Sequence, residues 1–339
     1  MVAASLCGAN TATEFALFAE TRRAVLCRLI DYEAAPSHDT FSRLLRLMDP
    51  RAFERAFAVF ASGFARALGE ACGTLSGANS VGEIVAIDGK ALRRAYEQGQ
   101  QASPPLTVSA FATRTRLCLA AASPTAAENE VEAALKVIDL IDLTDKIVTA
   151  DALHCHRRMA EAIVGQDAHY VLALKGNRGH WCKQAEDLFA REAPHHPAAE
   201  QTERSHGRDE WRKAEVVAVE KPLMPGHAAF IRITSQRQQA EPLIRLFMAS
   251  SNFSPQQALD ITRAHWQVEN GLHWMLDVHL DEDLSRARKD HAPANIAIFK
   301  RIAKNILQIT DKPKVPTSHR IKKCAWNDQY LLNALIHMR

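Results

Sequence analysis

An α/β fold is predicted, with a mixed sheet flanked by helices, a helical N-terminal domain and a β-rich insertion before the last core helix. Three observations carry this reading. The apolar run Ile84 to Ile87 ends in Asp88, followed by Gly89 and Lys90. A second apolar run, Ile147 to Ala150, ends in Asp151. A third acid, Glu269, sits in a helical stretch reading HWQVENGLHWMLD. A short apolar run that closes on an acid reads as a buried strand delivering a carboxylate to a sheet edge. There the carboxylate must reach solvent, a cation or a partner, because an unpaired charge is not tolerated in a core.

The elements follow in order. Residues 11–72 read as helical, with Phe53, Phe57, Phe60 and Phe64 at helical spacing. Pro36 breaks this segment, and Ser37 or Asp39 is placed to cap the next helix. Residues 73–82 are rich in Gly, Ser and Asn and read as a linker. A strand is expected over 84–88 and a hairpin over 106–112 and 117–122, turning at Thr113 to Arg116. Val131, Leu135, Ile138 and Ile141 mark a helix over 129–142. A strand (147–151), a helix (154–165), a strand (169–174) and a helix (181–191) come next. With a final helix bearing Glu269, this is the ribonuclease H-like order, and the sheet is mixed.

The interval between Asp151 and Glu269 is 118 residues, against 63 between the two aspartates. Strands expected at 211–220, 229–235 and 243–249 fill much of it, so a β-rich insertion is assigned to about 194–250. From about residue 311 the chain changes character, with Lys312, Lys314, Arg320, Lys322 and Lys323 around two prolines and then an apolar end. The expected division is a helical domain over 1–78, a catalytic core over 79–310 and a basic C-terminal tail over 311–339.

Bulk properties narrow the class. The net charge of +3 is only a weak hint of nucleic acid, so local charge has to be read instead. The seven cysteines form no CxxC pair and no zinc spacing, which fits free thiols in a reducing cytoplasm. No apolar stretch reaches the roughly 20 residues that a membrane-spanning helix needs. The N-terminus lacks a basic n-region, so no signal peptide is expected. The expected location is the cytoplasm, in association with the nucleoid. A GxGxxG loop, a Walker motif and a GxSxG elbow are all absent.

Two strand acids and one helical acid form an all-oxygen ligand set for Mg²⁺ or Mn²⁺, which points to metal-assisted chemistry on phosphates. Carboxylates brought that close repel unless a cation lies between them. The bland reading, strand-end caps or salt-bridge partners, stays open on the local pattern alone. For Glu269 the bland reading is a surface ion pair, and Glu282 is the reserve candidate. His265, Glu269 and His273, spaced four apart, also suggest zinc, but histidine is the wrong partner for Mg²⁺.

Lys90 and Arg93 follow the first aspartate, and Lys175 and Asn177 follow the strand 169–174. Both segments are expected to emerge beside the acids with phosphate-binding side chains. His206, Arg208 and Arg212 in the insertion are further DNA-contact candidates. So are Arg263, His265 and a basic run comprising Arg286, Arg288, Lys289, Lys300, Arg301 and Lys304. Charge runs are commonly solvated faces, so the run carries both readings.

The same residues carry a family resemblance. VAIDGKALR (85–93), IVTADALHC (147–155), YVLALKGNRGHW (170–181), SHGRDEWR (205–212) and RAHWQVENGLHWMLDVHLDEDLSRAR (263–288) resemble the blocks of the H-repeat-associated insertion-sequence transposases. PSHDTFSRLLRLMDPRAFERAF (36–57) resembles the associated domain that precedes their core. The resemblance runs from about residue 7 to about residue 310, with five blocks in the family's order. It implies a DDE transposase with Asp88, Asp151 and Glu269 as catalytic, metal-holding acids and two Mg²⁺ or Mn²⁺ ions. It further implies double-stranded DNA, both element ends and target, as the partner, and a homo-oligomer acting on that DNA. It also implies that the N-terminal domain is shortened here, because family members carry a further helical stretch first. Related transposases have a Tyr-Arg-Glu-Lys signature around the third acid. Here His265 stands four before Glu269 and Leu276 seven after, so that signature is absent; Arg263 is one candidate to replace it, and which basic residue does so stays open. Two rivals remain at this stage: a nuclease with the same core but no strand transfer, and a non-catalytic or domesticated DNA-binding remnant.

Overall fold

The two apolar runs that close on acids become neighbouring parallel strands. A computed structural model of the chain describes residues 1–31, 33–72, 82–95, 104–192, 195–205, 208–238, 240–311 and 314–336. β1 (Ile84–Ala91) pairs antiparallel with β2 (Leu106–Ala112), which pairs antiparallel with β3 (Leu117–Ala122). On its other side β1 pairs parallel with β4 (Ile147–Ala150), and β4 pairs parallel with β5 (His169–Leu174). This is the mixed, ribonuclease H-like order anticipated from the chain. The near-continuous burial of β1 to β4 fits strands covered on both faces.

The insertion does not form a separate body. β6 (Ala198–Ser205), β7 (Arg208–Ala218), β8 (Ala229–Arg237) and β9 (Leu243–Ala249) are antiparallel neighbours, and β9 pairs with β5. The result is one sheet of nine strands in the order β3-β2-β1-β4-β5-β9-β8-β7-β6. β6 was missing from the sequence reading. It reads AAEQTERS, with too little apolar alternation to signal a strand, and it sits at the sheet edge where polar strands are tolerated.

Helices cover both faces. The N-terminal part contributes α1 (Val2–Leu6), α2 (Ala12–Thr21), α3 (Arg23–Leu26), α4 (His38–Leu47) and α5 (Pro50–Cys72). Thr11 and Glu14 form a capping box on α2, and Ser37 caps α4 through Thr40 N–H. The core adds α6 (Glu130–Asp139), α7 (Arg157–Val164), α8 (Gly179–Glu192), α9 (Pro255–His265), α10 (Trp274–Leu280) and α11 (Ala292–Ile309). α11 is buried along most of its length between β3, α5, α4 and α1. The segment read as a basic tail forms α12 (Thr317–Trp326) and α13 (Asp328–Ile336), which pack on α1 and α11 through buried Cys324, Leu331 and Leu335.

Burial of α11 corrects the reading of the basic run. Lys300, Arg301 and Lys304 are inside the protein and face no DNA. Arg301 pairs with buried Glu282 at 2.7 Å and donates to Ser109 Oγ at 2.9 Å. Lys300 donates to the Asp281 carbonyl, and Lys304 to the Arg116 carbonyl. The alternation of apolar and basic residues in 296–307 marks a helix whose basic side chains tie loops to the sheet.

Candidate active site

Strand register brings the first two acids together. The parallel ladder of β1 and β4 ends at the pair Ile87 and Ala150, and Asp88 and Asp151 are the next residue on each strand. Neighbouring strands lie about 4.8 Å apart, so the two carboxylates leave the ladder side by side. Asp88 is not at the end of β1, as the apolar run suggested. Antiparallel pairing with β2 carries the strand on to Ala91. Asp88 Oδ1 accepts from Gly89 N–H at 3.0 Å. Asp151 caps a 3₁₀ turn (Ala152–His154), its Oδ1 accepting from Leu153 N–H at 2.9 Å.

Glu269 comes from a π-helical turn (Glu269–His273) between α9 and α10. Such turns insert a residue into a helix and redirect side chains, and they recur at functional sites. Asp88, Asp151 and Glu269 line one cavity of about 400 Å³, together with Lys175, Arg245, Thr262, His265 and Trp266. The three acids therefore open into a single space.

His273 is the neighbour that sequence reasoning undervalued. It is buried, with Nδ1 at 3.7 Å from Asp88 Oδ2 and 3.5 Å from Glu269 Oε2. Ligand atoms of Asp88, Glu269 and His273 lie within 4.8 Å of one another, close enough to surround one ion. Glu130 was also missed. At the start of α6, its Oε1 lies 3.5 Å from His154 Nε2, and a Cβ built on Gly89 would come within 2.3 Å of it. Gly89 is thus what lets this fourth carboxylate approach β1 beside Asp88. Nothing in the run ENEVEAALKVID separates Glu130 from an ordinary first-turn helix acid, so no local signal marks it.

The electrostatics are those of crowded acids. Asp88 is pushed up to about 6, first by burial, with Glu269 and Asp151 adding in the same direction against His273. Glu269 is held below its usual range by its hydrogen bond to His273. His265 is driven down to about 4 by burial, and its Nδ1 shares a hydrogen bond with Thr149 Oγ1 at 3.0 Å. At neutral pH it is an uncharged wall of the cavity and no cation for phosphate.

The basic candidates separate into three groups. Lys90 is spent inside the protein: it is 7% exposed and bridges Asp277 at 2.7 Å and Asp283 at 2.8 Å. It therefore ties β1 to the segment after Glu269, whereas its place after a strand-end aspartate had it emerging beside the acids. Asn177 is exposed, but its amide donates to the Ala152 carbonyl beside Asp151 at 2.8 Å. Exposed cations remain in Lys175, on the rim of the acidic cavity, and in Arg93. Arg286 and Arg288 line a separate cavity of about 790 Å³ between α2, α4 and α11. Arg263 pairs with Glu203. His206 and the side chain of Arg208 lie outside the described residues.

Acid-bearing parallel strands, a helical third acid and a mixed sheet define a ribonuclease H-like protein with an acidic centre at its strand ends. The chain belongs to the transposase DDE domain family, which it matches over residues 79–306, and residues 1–61 match the DDE_Tnp_1-associated domain. It is 29% identical to the putative protein YbfL of Escherichia coli strain K12, over 98% of this chain and 89% of that one. It is 28% identical to the H repeat-associated putative transposase YhhI of the same strain, over 98% of this chain and 90% of that one. Among solved structures, a piggyBac transposase synaptic complex with hairpin DNA aligns at 10% identity with a TM-score of 0.43, covering 100% of this chain and 80% of that one. Among the described residues no helix is long and apolar enough to cross a membrane.

Proposed function

We propose that the protein cleaves DNA at the ends of an insertion sequence and transfers the resulting strands to a target. The observation that carries this reading is the convergence of Asp88, Asp151 and Glu269 on one cavity, with Lys175 at its rim. The donor set fits a hard divalent cation. It offers carboxylate oxygens, and Asp88 is pushed up by burial first and by Glu269 and Asp151 second, a penalty on its charged form that a cation would relieve. Asp88, Asp151 and Glu269 would hold up to two Mg²⁺ or Mn²⁺ ions. What such ions supply is Lewis acidity toward phosphoryl oxygens and easier deprotonation of a hydroxyl nucleophile.

The chain's own groups do the rest. Gly89 N–H and Leu153 N–H fix one oxygen on each aspartate, so the remaining oxygens aim at the cavity. His273 Nδ1 faces Glu269 at 3.5 Å with Asp88 at 3.7 Å, and so keeps the π turn beside β1. Lys175, exposed and on the rim, is placed to meet a phosphate that enters. Arg93, Arg286 and Arg288 extend that role away from the cavity. An insertion sequence has two ends, so two copies acting together on DNA would give one site per end.

The test is cleavage of a labelled duplex carrying the DNA that flanks the gene, in Mg²⁺. Nicking at the element boundary that stops in EDTA is expected. Binding of that duplex without cleavage under any divalent cation would favour the DNA-binding remnant, and cleavage without strand joining would favour the plain nuclease.

A further inference from the structure

Five guanidiniums beside the acidic cavity are unused by this chemistry. Arg116 at the β2–β3 turn, Arg212 on β7, Arg237 on β8, Arg245 on β9 and Arg263 on α9 line one cavity of about 370 Å³. Register explains how residues so far apart meet. Glu203 is opposite Glu210, Glu210 opposite Arg237, Arg212 opposite Ser235, and Ser235 opposite Leu243. Side chains alternate faces along a strand, so Glu203, Glu210, Arg212, Arg237 and Arg245 all stand on one face of the sheet. Arg116 joins them because Gly271 lets the β2–β3 turn come close. A Cβ there would meet Phe111 Cζ at 2.7 Å and an Arg116 nitrogen at 3.4 Å.

The charges in this cavity do not cancel. Glu210 is shared by Arg212 at 3.1 Å and Arg237 at 3.3 Å, and Glu203 is taken by Arg263. Among the described residues neither Arg116 nor Arg245 has an ion-pair partner. Arg245 instead lies 5.5 Å from the centre of the Trp266 ring. Burial holds Arg245 below its ordinary range, and Arg212 and Arg237 push in the same direction. Like charges gathered in a half-enclosed pocket repel until an anion enters. Guanidinium forks suit the oxygens of phosphate, often two at a time. The pocket is too small for a duplex and sits at the low end of ligand-cavity volumes. Its position supplies the last element: Arg245 and Trp266 belong to both cavities, so the arginines begin where the acids end.

We infer that this arginine cavity docks the phosphodiester backbone of a nucleic-acid strand, holding the phosphates next to the one presented to the acidic cavity. The identity of that neighbouring phosphate rests on the phosphoryl-transfer reading above, whereas the binding itself does not. Fluorescence anisotropy of a labelled random-sequence duplex with a single-stranded extension, titrated in EDTA over a range of KCl, tests it without catalysis. Arg116→Gln with Arg245→Gln should leave folding intact, since neither side chain has an ion partner to abandon. The log–log salt slope should become shallower by about 1.4 to 1.8, that is about 0.7 to 0.9 per lost phosphate contact. Arg245→Lys, which keeps the charge, should keep most of the slope. Arg191→Gln, on the exposed side of α8, should change nothing. An unchanged slope in the double variant, or an equal loss in Arg191→Gln, overturns the inference. So does a double variant that loses only stabilisation by inorganic phosphate while DNA binding holds, which would make this a small-anion site. A changed slope in a protein that never cleaves DNA would sustain this docking site and sink the catalytic reading alone.

Discussion

The acidic and the arginine cavities share a wall, yet they are built in opposite ways. The acidic one hangs on backbone geometry: two adjacent parallel strands end their ladder at Ile87 and Ala150, and the next residue on each is an aspartate. The arginine one hangs on side-chain length: five guanidiniums from five elements, spread from residue 116 to 263, reach one space. A site made by strand ends writes itself into short contiguous motifs, and a site made by long side chains across a sheet leaves no local trace. That difference explains what could be read from the chain. The apolar runs ending in Asp88 and Asp151 were legible because burial on both faces demands an unbroken apolar stretch. Glu269 was legible from its frame, but its π turn was not, because a one-residue insertion into a helix barely alters apolar spacing. Lys90 was misplaced because a lysine after a strand-end Asp-Gly looks solvent-facing until Asp277 and Asp283, far along the chain, fold over it. The continuation of the core sheet through β9 needed the pairing of β5 with a strand some 70 residues on, which no local pattern encodes.

The comparison is broken most severely by removing an acid. Asp88→Asn or Glu269→Gln should lower metal-dependent DNA cleavage by roughly 10³-fold or more, since the stabilisation lost is several kcal/mol. DNA affinity should hold or rise, because a negative charge facing phosphate is gone. A single-turnover assay beside an anisotropy titration checks both, and retained cleavage in either variant would remove that acid from the site.

Next in size is the buried support behind the strand that carries Asp88. Arg301 and Glu282 are fully buried partners, and Arg301 also holds Ser109, the residue opposite Asp88 in β2. Arg301→Met leaves Glu282 buried without its guanidinium and should cost about 3–5 kcal/mol, read as a lower urea midpoint. Replacing both by apolar residues should recover much of that loss.

Gly271→Ala sharpens the boundary between the cavities. Its Cβ would press on the ring of Phe111, and overpacking of this kind costs about 1–3 kcal/mol. Because Phe111 and Arg116 flank the β2–β3 turn, the variant should weaken DNA binding more than it weakens metal binding. Equal effects on the two would show that the cavities are not separable.

Last comes a pH dependence at His265, which has no effect at neutral pH and appears only in acid. Burial lowers it to about 4, below the ordinary value of 6.5, so the folded protein resists its protonation. Its contribution therefore destabilises the fold progressively as pH falls from about 6.5 to about 4, and is absent at neutral pH. His265→Gln should flatten that part of the stability curve while costing about 1 kcal/mol at pH 7 through the altered bond to Thr149.

The central claim is that Asp88 belongs to a cation site, its charged form penalised by burial and, to a lesser degree, by Glu269 and Asp151. In metal-free protein Asp88 is raised from 3.8 to about 6, so the folded state holds its proton more tightly than the unfolded state does. Stability should then fall as pH rises through that window, by about 3 kcal/mol at most, from about 1.36 kcal/mol per pKa unit. Thermal unfolding at pH 7 with EDTA and with rising Mg²⁺ tests this directly. The wild-type protein should gain about 2.7 kcal/mol once Mg²⁺ reaches about a hundred times its dissociation constant. Asp88→Asn should begin more stable than wild type in EDTA and gain little from Mg²⁺. A wild-type protein indifferent to Mg²⁺ and Mn²⁺, or an Asp88→Asn variant stabilised by them as strongly as wild type, would contradict the account.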